Sequence, residues 1–93
     1  TSADGRLVVD LGKGIAALDG TMLHLTPYEW AMLALIAGEQ GGIATHSRLA
    51  RRLSGYADAS ALASLSVHMT HLRAKMPGYI ETERGRGYFI RTA

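Results

Sequence analysis

The 93-residue sequence predicts an α+β fold: an N-terminal antiparallel sheet, a three-helix core and a C-terminal β-hairpin. Three observations predict it. Apolar and β-branched runs ahead of Thr26 flank an Asp19-Gly20 turn signal. Three segments with helical periodicity and start signals follow between Thr26 and Met76. Two strand-like runs, Tyr79–Glu83 and Tyr88–Arg91, then bracket Arg84-Gly85-Arg86-Gly87.

The N-terminal elements come first. Arg6 to Leu11 (RLVVDL) reads as a strand, and Ile15–Leu18 and Met22–Leu25 flank the turn at Asp19-Gly20. Residues 1–5 (TSADG) are polar and too short for a signal peptide, so they are expected to be a linker remnant ahead of one domain at 6–93.

The best-marked helix start is Leu25-Thr26-Pro27-Tyr28-Glu29-Trp30. Thr26 is an N-cap, and Glu29 three residues on completes a capping box. Pro27 takes the first helical position, where a missing N–H costs nothing. Leu25 and Trp30 form a hydrophobic staple. This helix is expected to stop near Gly41-Gly42. The capping role accounts for Glu29 without catalysis.

Ile43-Ala44 is long enough only for a bridging strand. Thr45 caps a second helix from His46 to about Leu53, closed by Gly55 and decorated by Arg48, Arg51 and Arg52. A short loop, Tyr56 to Ala59, leads to a third helix from about Ala61 to Met76, with Ser60 as its cap. Its apolar stripe is Leu62, Leu65, Met69, Leu72 and Met76. The opposite arc holds Ala63, Val67, Thr70 and Ala74, flanked by Ser66 and His71. Arg73, Lys75, His68 and Ser64 lie along the sides. A solvated face would carry Lys and Glu. A small, neutral face with donors at its margins suits close approach to a DNA groove.

Charge agrees with this. Residues 1–45 carry a net −3, and residues 46–93 a net +5, so the C-terminal half is the one suited to a polyanion. The chain has no cysteine, which removes disulfide frameworks, thiolate metal sites and a cysteine nucleophile. No apolar run approaches membrane-spanning length. A cytoplasmic setting, no membrane partner and no cofactor are expected.

Two short helices joined by a loop and followed by a β-hairpin describe a winged helix-turn-helix. Arg84-Gly85-Arg86-Gly87 is not a phosphate-cradling glycine loop, because such a loop opens a helix and Tyr88-Phe89-Ile90 reads as a strand. Both glycines are expected at positive-φ hairpin positions, with the arginines projecting from the tip.

Three stretches carry a resemblance across nearly the whole chain: Leu25 to Trp30 with Leu33, Val67 to Lys75, and Thr82 to Tyr88. They resemble L-T-x-x-E-x-x-L-L, V-x-V-H-I-x-x-L-R-x-K and T-x-R-G-x-G-Y of the DNA-binding effector domains of OmpR/PhoB-type response regulators. The resemblance implies a four-stranded N-terminal sheet, a three-helix core and a C-terminal wing. It implies double-stranded promoter DNA as partner, bound as a tandem dimer, with RNA polymerase nearby and a receiver domain in the parent chain. Carried over by position, Val67, Thr70 and His71 face bases, with Ser66 beside them. His68 and Arg73 face phosphates, and Ser64 and Lys75 join them from the flanks of the same helix. Thr82 and Tyr88 sit at the wing base and also face phosphates, and Arg84 falls on the wing arginine that approaches the minor groove. Arg86 is added for its charge. The sequence departs from the family at Thr70 and His71, where Arg or Lys is usual, at Ser54 in place of a tryptophan, and at Arg48 in place of a glutamate.

Two other readings compete. A winged helix with so neutral a third helix can serve protein contacts instead. An enzyme would need a site, and the His68–His71 pair has no carboxylate near it in sequence to complete a metal centre.

Overall fold

The computed structural model describes residues 2–55 and 58–92. The order is β1 (Leu7–Asp10), β2 (Ile15–Leu18), β3 (Thr21–Met22), α1 (Pro27–Gly38), β4 (Ala44–Thr45), α2 (His46–Ser54), α3 (Ala59–Lys75), β5 (Glu81–Glu83) and β6 (Gly87–Phe89). This is the α+β winged-helix architecture that the sequence predicts.

The N-terminal sheet is antiparallel with order β1-β2-β3. Asp19, at φ 52°, and Gly20, at φ 80°, supply the left-handed turn between β2 and β3. The fourth strand implied by the family resemblance is not present among the described residues. Gly5, at φ 75°, breaks the extended run ahead of β1, and its N–H closes a turn onto Ser2 O at 3.0 Å. Residues 2–4 nevertheless lie on the fold. Ser2 is buried and bridges to Thr92. Asp4 Oδ2 accepts a hydrogen bond from the Tyr79 hydroxyl at 2.8 Å.

The three helices share one core. Met32, Leu33 and Ile36 of α1 meet Leu49 of α2 and Leu65, Met69 and Leu72 of α3, closed by Met76, Ile80, Tyr88 and Ile90. The α1 spacing of i, i+3, i+4 and i+7 explains the burial of Glu29 beside Met32, Leu33 and Ile36. The helix ends at Gly38, a turn before the expected Gly41-Gly42 stop. Gln40 (φ 53°) and Gly41 (φ 91°) both take left-handed backbone after it.

The second sheet has order β4-β6-β5. Its centre is the last strand, pairing Ala44 with Tyr88 on one side and Thr82 with Tyr88 on the other. The bridging strand before α2 therefore holds the wing against the helices.

Candidate nucleic-acid interface

Each α-helix is held at its start by a side-chain cap. In α1 the capping box is complete: Glu29 N donates to Thr26 Oγ1 at 3.2 Å and Thr26 N to Glu29 Oε1 at 2.8 Å. In α2 the Arg48 N–H donates to Thr45 Oγ1 at 3.2 Å, and Gly55 closes the helix in the left-handed region at φ 84°. In α3 the cap is Asp58, whose Oδ1 accepts from Ala61 N at 2.8 Å, so the helix starts at Ala59 and not after Ser60. A carboxylate satisfies the same orphan N–H as a serine hydroxyl and also gains from the helix dipole. Of the expected Tyr56–Ala59 loop, Tyr56 and Ala57 lie outside the described residues.

The buried face of α3 is Ala61, Leu65, Met69 and Leu72. Leu62, expected in that stripe, is 38% exposed. At the first turn the inward position belongs to Ala61, which is buried. The opposite arc is open: Ala63, Ser64, Ser66, Val67, Thr70, His71 and Ala74 are all exposed. The Thr70 hydroxyl donates to Ser66 O at 3.0 Å.

The groups along the flanks of α3 are held more firmly. His68 is half-buried and stacks on Tyr28 of α1 at a ring separation of 4.8 Å. Arg73 reaches across to the wing base, where Nε and Nη2 donate to Ile80 O at 3.3 and 3.0 Å. Its Nη2 also donates to Thr82 Oγ1, and the guanidinium lies 5.2 Å from the centre of the Tyr88 ring. Tyr88 is buried and meets the His46 ring edge-on at 5.2 Å. Lys75 Nζ donates to His24 O at 2.7 Å and to Glu29 Oε1 at 2.6 Å. Burial pushes the Glu29 carboxyl up, but hydrogen bonds from Lys75 and Thr26 outweigh it and hold the group below the usual glutamate value.

At the wing tip, Arg84 and Arg86 are exposed, and among the described residues neither forms a salt bridge. Arg86 N donates to Glu83 O at 3.0 Å, and Arg86 O accepts from His46 N at 3.0 Å. Only one of the two glycines is there for positive φ. Gly85 sits at φ 77°. Gly87 is there for close approach: a Cβ on it would stand 2.0 Å from Ala44 O. Glu81 is turned to Arg91 in a 2.6 Å ion pair at the other end of the hairpin.

α3 and the wing enclose a groove of about 530 Å³. Ser66, Leu62 and Leu65 form one wall, Thr82, Arg84, Gly85, Arg86 and Tyr88 the other, and Thr45, His46 and Ser47 the end. The start of α2 is a part of the site that the motif reading passed over. The Thr45 cap was its one local signal. Among the described residues no group of three or more His, Asp or Glu side chains is placed to hold a metal. Among the described residues no helix is long and apolar enough to cross a membrane.

The family of the C-terminal domain of transcriptional regulatory proteins matches residues 20–90, from the second hairpin through the wing. The chain is a member of the OmpR/PhoB-type DNA-binding effector-domain family. It is 34% identical over 73 residues to the transcriptional regulatory protein KdpE of Staphylococcus aureus, covering 78% of this chain and 32% of that protein. The crystal structure of the DNA-binding domain of CpxR from Escherichia coli superposes with a TM-score of 0.80 at 29% identity, covering 100% of this chain and 96% of that one. The Klebsiella pneumoniae RstA DNA-binding domain, in complex with the RstA box, gives a TM-score of 0.79 at 27% identity, covering 94% and 92%. The chain thus spans about a third of the length of that relative.

Proposed function

We propose that this effector domain binds double-stranded promoter DNA sequence-specifically, with α3 in the major groove and the wing at the minor groove. The observation that carries the reading is the groove between α3 and the wing, lined by Ser66, Arg84 and Arg86, with Val67, Thr70 and His71 exposed on the adjoining face of α3. Ser66, Val67, Thr70 and His71 meet base edges. Ser64, His68 and Ser47 follow the phosphates, and Arg84 and Arg86 enter from the wing. Of the residues expected at phosphates, Arg73, Thr82 and Tyr88 instead join α3 to the wing, and Lys75 anchors the end of α3. Phosphate contacts set register and affinity, whereas base-edge contacts set sequence.

The finer partners belong to the same proposal: a receiver domain in the parent chain, a tandem dimer on direct repeats, contact with RNA polymerase and a cytoplasmic setting. The domain itself acts by binding and carries out no chemistry. Titration of the chain against duplex at several salt concentrations tests the core of this reading. Log affinity falls linearly with log salt if phosphates are neutralised. Affinity that does not respond to salt overturns it.

A further inference from the structure

We propose that this domain recognises T·A pairs through the thymine C5 methyl group, by way of Val67 and Thr70, and not guanine through a cationic fork. The proposal rests on the DNA-binding reading above and specifies which base edge that interface takes.

Val67 is 56% exposed at the middle of the open arc. It is β-branched, so its rotamer is nearly fixed in a helix and its two methyls are held rigidly. Thr70 lies three residues on, one step along the same helix face. Its hydroxyl proton is already given to Ser66 O at 3.0 Å. What Thr70 retains for a partner is a methyl and an acceptor lone pair. The major-groove edge of a T·A pair presents a thymine methyl at one end and, past the thymine O4 acceptor, the adenine N6 amine donor. Cytosine also offers an amine donor, but it has no C5 methyl.

Guanine presents two acceptors, N7 and O6, and is read by Arg or Lys. Here both cations of α3 are engaged elsewhere. Arg73 is held by Ile80 O and Thr82, and Lys75 by Glu29 and His24 O. His71 and Ser66 remain as polar groups at the margin of the face and supply single hydrogen bonds. The apolar pair at the centre then sets base preference.

The test is selection of bound duplexes from a random pool by the 93-residue chain, followed by replacement of each selected thymine with uracil, which removes only the methyl. The expected result is thymine enrichment at two or more positions per half-site. Binding should weaken roughly fourfold for each contacted methyl removed, the value of one buried methyl-sized group. In Val67→Ala and in Thr70→Ser, which keeps the hydroxyl, the ratio of thymine to uracil affinity at one position each moves toward one. Both changes lie on the open face, and circular dichroism checks that the helix is kept. Enrichment of G·C at those positions, or equal binding of thymine and uracil sites, overturns this inference and leaves DNA binding standing. Failure to retain any duplex at low salt overturns the DNA-binding reading as well.

Discussion

The Lys75 ammonium stands 2.6 Å from Glu29 Oε1 and ties the last turn of α3 to the first turn of α1. The Glu29 side chain is buried, 3% exposed, and the Lys75 side chain is 36% exposed. The same oxygen accepts the Thr26 N–H, so one buried group both caps α1 and receives α3. Lys75→Met removes the charge and keeps the stem. It leaves a buried carboxylate short of one donor, an expected cost of about 1–3 kcal/mol. At this chain length a thermal melt should fall by roughly 4–8 °C for each kcal/mol lost.

Acid should weaken the fold through the same carboxylate. Glu29 is held below its ordinary value of 4.5. Asp4 is lowered to about 2 by hydrogen bonds from Ser2, the Arg6 N–H and Tyr79. Asp19 is lowered by its pairing with Arg6. A group depressed in the folded state contributes stability that is fully present above its unfolded value and lost as pH falls through its folded value. The melting temperature should therefore be flat from pH 7 to about 5 and decline steadily below about 4. Glu29→Gln should lower the plateau and flatten the acid limb. An unchanged acid limb in that variant would remove Glu29 from the account.

Gly87 and Gly85 should differ in kind. At Gly87 an added Cβ meets the β4 backbone at 2.0 Å, where nothing can yield except the sheet itself. Gly87→Ala should break the pairing of Ala44 with Tyr88 and cost about 1–3 kcal/mol or more, as overpacking does. At Gly85 the space is open and only the φ of 77° resists a side chain. Gly85→Ala should cost about 1–2 kcal/mol, and Gly85→Asn less. Amide exchange at Tyr88 distinguishes the two: fast exchange is expected in the Gly87 variant alone.

What was legible in the sequence divides by the range of the interaction. Thr26, Pro27 and Glu29 announce α1 because a capping box is built from neighbours. Thr45 and Gly55 bound α2 in the same way. The α3 start slipped because Asp58 and Ser60 are both competent caps and local sequence does not rank them. Leu62 fits the apolar period, yet Ala61 takes the inward position, since which residue faces inward at a helix end depends on the partner helix. The Lys75–Glu29 pair spans 46 residues, and the Gly87 contact needs β4 in place. Neither leaves a local trace. The groove's end wall at His46 and Ser47 was hidden for the same reason.

The wing arginines allow a direct test of the proposed DNA contact. Arg84 and Arg86 form no salt bridge among the described residues, so removing either costs the fold little. Arg84→Ala should weaken binding to all duplexes alike and reduce the slope of log affinity against log salt by about one unit. The melt should stay within about 0.5 kcal/mol of the parent. A slope that does not change would take Arg84 off the DNA.

Arg73 should behave differently although it carries the same charge. Its fork is spent on Ile80 O and Thr82 Oγ1, and its plane lies over Tyr88. Tyr88 in turn meets His46 at the start of α2. Arg73 therefore fixes the angle between α3 and the wing. A lysine keeps the charge but cannot reproduce the fork or the planar stack. Arg73→Lys should destabilise the domain by about 1–2 kcal/mol through the lost hydrogen bonds. It should also weaken DNA binding with little change in salt slope, because the number of phosphates neutralised stays nearly the same. Combining Arg73→Lys with Arg84→Ala completes the argument. A wing that is no longer aimed gains less from its arginine, so the double variant should lose less affinity than the two single losses added together. Strict additivity would mean that Arg73 and the wing act independently.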